Sequence, residues 1–247
     1  MFTPEQIETQ LQRILLKVQK PGRYVGGEYN TIFKPWEETP LKVALVFPDI
    51  YDIGVSNVGL KILYDQINQR SDALAERAYA PWVDMEAEMR AAGLPLYSLE
   101  THHPLAAFDL IGFSLPYETL YTNTLNILDL AGLPLRSQER DERHPLIIAG
   151  GHATTNPEPM HAFIDAFAIG EGEEIIHDIL NMVKKAKEER WTRPELLRHL
   201  ARIPGLYVPR FYEVSYFEDG TVREIHPTIP EAPKLITKRM VAKLPPP

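Results

Sequence analysis

Cysteine is absent from all 247 residues. That absence excludes disulfides, thiolate zinc sites, cysteine nucleophiles and any Cys-ligated iron–sulfur cluster within this stretch. Positive charge is also scarce. The 26 Lys and Arg against 34 Asp and Glu give a formal charge of −8, whereas a broad nucleic-acid footprint needs clustered cations to neutralise phosphates. No window approaches ~18 consecutive apolar residues, the length a membrane-spanning helix needs. The opening Met-Phe-Thr-Pro-Glu-Gln-Ile-Glu has neither the basic start nor the apolar core of a secretory signal, so the cytoplasm is the expected location. No nucleophile elbow, Walker loop or Gly-x-Gly-x-x-Gly after a strand is present, which leaves hydrolase, NTPase and dehydrogenase readings without support.

What is present is a series of short apolar runs, each ending in a glycine-rich or acidic turn. The run 41–47 (L-K-V-A-L-V-F) leads into Pro48-Asp49-Ile50-Tyr51-Asp52-Ile53-Gly54, and 146–149 (L-I-I-A) ends in Gly150-Gly151. The run 166–169 (A-F-A-I) ends in Gly170-Glu171-Gly172-Glu173. Further strands are expected near 75–80 and 110–115, with a possible one at 95–99. Helical spacing predicts helices over 57–69, 82–92, 119–131 and 173–187. Strands alternating with crossover helices make a doubly wound, parallel, five-stranded α/β sheet of flavodoxin or Rossmann type. Such sheets bind ligands at the carboxyl edge of their strands.

Around that domain, assigned to 41–190, lie two appendages. Residues 1–40 begin with a helix carrying Ile7, Leu11, Ile14, Leu15 and Val18 on one face, and continue into a turn-rich stretch with Gly26-Gly27. Those glycines serve either a tight turn or a ligand approach. Residues 191–247 read as an amphipathic helix over 193–204, a hairpin over 211–225 turning at Asp219-Gly220, and a proline-rich linker with Lys238, Arg239 and Lys243 that ends in three prolines. A longer polypeptide, interrupted at a linker, is the expectation.

The first loop, Asp49-Ile50-Tyr51-Asp52-Ile53-Gly54, resembles the Asp-x-His-x-x-Gly turn of the cobalamin-binding modules of methionine synthase and related mutases. Ser114-Leu115 sits where those modules carry Ser-x-Leu, and Gly150-Gly151 matches their Gly-Gly turn. Tyr51 stands in place of their cobalt-ligating histidine. A closer resemblance runs through Gly150-Gly151-His152-Ala153-Thr154 and Gly170-Glu171-Gly172-Glu173. These segments are similar to the N-terminal domains of cobalamin-binding radical SAM enzymes, many of which lack the lower histidine.

The resemblance implies a cobalamin held without a protein histidine ligand. It also implies a catalytic domain of the same polypeptide that carries a 4Fe–4S cluster and binds S-adenosylmethionine. Methyl transfer or related radical chemistry would be the joint activity; the sequence itself carries no direct nucleic-acid signal, and no membrane is expected as a partner. The residues expected at the cofactor are Tyr51, Asp52, Gly54, Ser56 and Asn57 in the first loop, Ser114, Leu115 and Thr119 after a later strand, Gly150, Gly151 and His152, and Gly170, Glu171 and Gly172. The acids of Gly170-Glu171-Gly172-Glu173 disfavour a phosphate and suit hydroxyls or amides, or simply cap the helix that follows. Tyr51 either fills the space below a corrin or is a loop tyrosine with no ligand. His102, His103, His152, His161 and His177 form no metal set by spacing. The alternative function is a cofactor-free scaffold that docks the catalytic domain and recognises a partner through residues 23–28 and the hairpin.

Overall fold

A computed structural model describes residues 2–242; Lys243 and the terminal prolines lie outside the described residues. Each apolar run becomes a buried strand. These are β1 (Leu41–Phe47), β2 (Ala73–Tyr79), β3 (Leu110–Ser114), β4 (Leu146–Gly150) and β5 (Ala166–Ala168), all parallel, in the order β2-β1-β3-β4-β5. The expected α/β sheet of flavodoxin type is therefore present. A sixth strand, β6 (Leu206–Tyr207), adds antiparallel to β5 and has too few residues to announce itself by pattern. The order reverses between β1 and β3, which opens a crevice at their carboxyl ends.

The helices are α1 (Pro4–Ile14), a single turn α2 (Tyr51–Gly54), α3 (Val58–Asn68), α4 (Val83–Ala92), α5 (Tyr121–Leu130), α6 (Gly172–Glu189) and α7 (Arg193–Leu200). Local chemistry sets their ends. Thr3 and Thr192 each form a capping box and precede a proline in the first turn, Asn57 caps α3, and Gly93 closes α4 in the left-handed region. Side chains show which helices share a face. Arg70 reaches Asn181 and Gln66 meets His177, joining α3 to α6, while Arg90–Asp129 and Asn126–Glu86 join α4 to α5 across the other face. Between β4 and β5 the chain crosses through short 3-10 turns at His152–Thr155 and Glu158–Met160, not an α-helix.

Residues 95–99 are not a strand. Pro95 and Pro104 supply no N–H, and the segment makes an isolated bridge from Tyr97 to Pro104 and single bonds from Leu96 N–H to Leu130 O (3.0 Å) and Leu99 N–H to Arg77 O (2.8 Å). It covers the open edge of β2. Residues 24–40 cover the same side, where Lys34 Nζ donates to the carbonyls of Asn68, Arg70 and Ala73 at 2.6–2.7 Å. A cation there satisfies the orphan carbonyls at the C-terminus of α3. The expected helix over 193–204 stops at Leu200, and the one over 119–131 starts with a 3-10 turn at Glu118–Leu120.

At the other side of the sheet Asp165, fully buried, holds Arg140 and Arg193 and accepts Ile147 N–H at 2.8 Å. This cluster ties α7 and the 134–145 loop to the sheet. The hairpin, β7 (Tyr212–Tyr216) with β8 (Val222–Pro227), turns at Gly220 as the Asp219-Gly220 signal indicates.

Candidate functional site

The site begins with strand alternation. In β3, Leu110, Gly112 and Ser114 share one face of the sheet, and the register sets them beside Leu146, Ile148 and Gly150 of β4. Ala166 of β5 pairs Ile148, which carries the row on to Ala168 beside Gly150. This face packs under α3 and α6. At its carboxyl end it therefore presents Gly112, Ser114, Gly150 and Ala168, where a buried parallel sheet ordinarily carries branched aliphatics. The missing side chains leave a slot of about 190 Å³. Leu45, Leu60, Leu63, Ile148, Ile175, Ile176 and Ile179 wall it, and Gly59, Gly151, Gly170, Gly172 and Glu173 also line it. Gly172 lets α6 approach α3, since a Cβ there lies 3.2 Å from the Leu63 side chain.

A volume of that size is below the ~300 Å³ at which whole-ligand pockets begin, and slightly above the ~150 Å³ engineered cavity that holds benzene. It suits one flat ring system rather than an entire cofactor. A larger, more open cleft of about 370 Å³ lies at the amino edge of the sheet. Several of its charges are already paired, as in Lys187–Asp109 and Arg193–Asp165.

Five of the expected cofactor residues, Ser114, Gly150, Gly151, Gly170 and Gly172, line the slot. Leu115 is buried at the rim; its carbonyl accepts Ala153 N–H at 2.9 Å and would meet any Cβ on Gly151 at 2.7 Å. Gly151, at φ +106°, is thus required by backbone packing. Thr119 and His152 are exposed near the same edge. Asn57 accepts Leu60 N–H at 2.8 Å as the cap of α3, and Ser56 donates to Ile53 O.

The remaining first-loop residues are engaged elsewhere. Tyr51 donates to Glu28 at 2.6 Å and packs edge-on against Tyr79; burial and the neighbouring Glu28 push its hydroxyl up to about 12. Asp52 is bound by Arg23 and by Lys20 (3.0 Å), which hold its carboxyl down at about 2. A Cβ on Gly54 would stand 2.5 Å from the Tyr79 ring, so this glycine makes room for an aromatic. The loop therefore anchors the N-terminal segment, which pattern alone could not show because its partners lie some thirty residues upstream.

Gly170 also has a partner distant in sequence. At φ +113° it forms a bridge with Arg239, whose N–H donates to Ile169 O (2.8 Å) and whose carbonyl accepts Glu171 N–H (3.0 Å). Gly205 flanks the same backbone, and the Arg239 guanidinium reaches Glu174 and Asp178. Glu171 accepts Val241 N–H. The C-terminal segment is thereby strapped to the loop that forms the mouth of the slot.

Beside β2 lies a buried ionic cluster that sequence reading passed over. Arg77 binds Glu100 (2.7 Å) and Glu28 (2.5 Å), linking Tyr51 through Glu28 to the sheet edge. Glu76, without solvent exposure, accepts Thr101 Oγ1 at 2.7 and 2.8 Å, and Thr101 also meets His103, which stacks on Trp36. Burial raises the Glu76 carboxyl to about 7 and lowers His103 to about 4. A raised carboxyl binds its proton more tightly in the folded state. Its stabilising contribution is complete below its ordinary value of 4.5 and is lost as pH rises to about 7. The lowered His103 works in the opposite sense between about 4 and 6.5 and is shared by wild type and a Glu76→Gln variant. Glu76→Gln is expected to gain about 1–3 kcal/mol relative to wild type on going from pH 4 to pH 8. Chemical denaturation of both proteins at the two pH values measures it, and a constant difference would refute the assignment.

Among the described residues no helix is long and apolar enough to cross a membrane, and no group of three or more His, Cys, Asp or Glu is placed to hold a metal ion. The family described as radical SAM proteins, N-terminal, matches residues 59–209, more than half of the chain and all of the slot except Leu45. Neither the curated proteins nor the solved structures give a match.

Proposed function

Because the chain belongs to the family of N-terminal regions of radical SAM proteins, we propose that it holds a cobalamin for the radical SAM catalytic domain it accompanies. The observation that carries this reading is the row of small residues, Gly112, Ser114, Gly150 and Ala168, which hollows the sheet under α3 and α6. A corrinoid has a broad macrocycle and a flexible tail ending in a flat base. The slot has the volume and apolar walls for such a base, and it opens at the carboxyl edge where a macrocycle has room. Exposed Ile53 in α2, Val58 at the start of α3 and Tyr117 in the loop after β3 offer that edge apolar surface.

In this arrangement Gly150 and Gly151 let backbone approach the tail, Ser114 supplies a hydroxyl, and the uncapped first turn of α6 supplies free N–H groups. Glu171 and Glu173 there are suited to hydroxyl or amide donors. Tyr51, tied to Glu28, contributes packing below the edge and is not a cobalt ligand. When bound, cobalamin supplies methyl-transfer chemistry, with the 4Fe–4S cluster and S-adenosylmethionine belonging to the catalytic domain.

One observation favours the rival reading, a cofactor-free scaffold: Tyr51, Asp52 and Gly54 are consumed by contacts within the chain. Anaerobic titration with hydroxocobalamin, followed by desalting and visible spectroscopy, separates the two. Near-stoichiometric retention, with a spectrum lacking histidine coordination, is the expected result. A colourless protein after desalting would favour the scaffold.

A further inference from the structure

The cleft at the amino edge of the sheet carries an unbalanced charge. Four cations line it, Arg143, Lys187, Arg190 and Arg193, against two carboxylates, Asp109 and Glu142. Counting also Arg140, Asp141 and Asp165, which lie behind or beside the lining, one positive charge remains, in a chain whose formal charge is −8. Part of this excess is buried. Arg140 and Arg193, with side chains 0% and 4% exposed, share the single carboxylate of Asp165. Their other partners are backbone carbonyls, and the Nε–H of each has no acceptor among the described residues. A buried cation without its own counter-charge is costly, so an anion brought close to Arg193 gains more there than at an open surface.

The rim adds cations that are not committed. Arg190 closes α6 in the left-handed region (φ 57°), is exposed, and pairs with no carboxylate among the described residues. Arg143 pairs with nearby Asp141 and is 84% exposed, where such a pair is weak and readily exchanged. Between these cations the wall is apolar, formed by Phe108, Leu146, Val183, Trp191 and Leu196. At about 370 Å³ the cleft reaches the lower range of pockets that hold a whole small ligand.

We infer that this cleft binds a small organic carboxylate with an apolar body, about the size of an arylacetic acid. A guanidinium fork matches a planar carboxylate, and the ring of such an acid lies against the apolar wall. Asp109 and Glu142 in the same lining disfavour a phosphate dianion, which they repel twice as strongly as a single charge. The cleft is at the opposite edge from the slot, so the inference stands independently of the cobalamin reading.

The test is titration of the full isotope-labelled chain with phenylacetate, followed by heteronuclear NMR of the tryptophan indole N–H groups. Trp191→Phe identifies the Trp191 resonance. A saturable shift of that resonance, with Kd below about 1 mM, is expected. Acetate, the neutral analogue phenethyl alcohol, and phenyl phosphate are each expected to bind at least about tenfold more weakly. The double variant Arg143→Gln, Arg190→Gln changes only exposed side chains. It should melt as wild type does and bind phenylacetate at least about tenfold more weakly. Absence of a saturable shift overturns the inference. Equal binding of phenethyl alcohol overturns it too, because charge then plays no part, as does equal or tighter binding of phenyl phosphate. Unchanged affinity in the double variant overturns the placement of the carboxylate among these cations.

Discussion

Gly150→Leu is expected to leave the protein folded and to weaken cobalamin retention at least about a hundredfold, or about 2.8 kcal/mol. Gly150 ends β4 outside the left-handed region, and the only heavy atom within 4 Å of a built Cβ there is the Ala168 Cβ at 3.9 Å. A leucine side chain at this position extends into the slot, and 190 Å³ cannot hold both it and a bicyclic base. Burying the added methylenes against Ile148 and Ile176 offsets what the substitution costs. The adjacent glycine behaves differently. Gly151→Leu forces a Cβ against the Leu115 backbone at φ +106°, so loss of binding there comes with loss of stability. Thermal melts together with retention of hydroxocobalamin separate the two variants. Full retention by a folded Gly150→Leu protein would mean the ring does not enter the slot.

Asp165→Ala is expected to cost about 3–5 kcal/mol, a fall in Tm of about 6–20 °C for a chain of this size. The carboxylate has no solvent exposure and lies between two guanidiniums that are themselves buried, Arg140 at 3.2 Å and Arg193. Removing it leaves two adjacent buried cations whose remaining partners are carbonyls of residues 134, 135, 141, 144, 145 and 163. Desolvation already lowers the Arg140 guanidinium from its ordinary value, and without Asp165 only the smaller influence of Glu139 counters it. The slot lies at the opposite edge, so the residual folded fraction should retain cobalamin normally at low temperature. A melt within about 2 °C of wild type would contradict the role given to this cluster.

The parallel sheet was legible because buried strands read as continuous apolar runs and each ends in a turn signal. The carboxyl edge as the place for a ligand followed from topology alone. The slot itself was not legible. Gly112 sits inside L-I-G-F-S and looks like any strand glycine until the register sets it beside Ile148, with Ser114 beside Gly150. Gly170 was read as a ligand turn or a helix cap, yet its conformation is required by Arg239, sixty-nine residues later. Tyr51 and Asp52 have the same kind of distant partner in Glu28 and Arg23. Local chemistry shows that a residue is special; only the tertiary partner shows what for. The ionic cluster of Glu76, Arg77 and Glu100 was missed because charges within a strand read as an exposed edge, whereas residues 24–40 and 95–104 bury them.

The central claim is that the hollow between α3, α6 and the carboxyl ends of β3 and β4 is where the corrinoid tail enters. Amide hydrogen exchange of the whole chain, with and without saturating cobalamin, tests it most directly. Slowed exchange in the segments 57–63, 115–120, 150–156 and 170–176, with little change at the hairpin and in residues 134–145, is the expected pattern. Protection confined to the hairpin, to residues 23–28 or to the amino edge, or none at all with cobalamin bound, would contradict it.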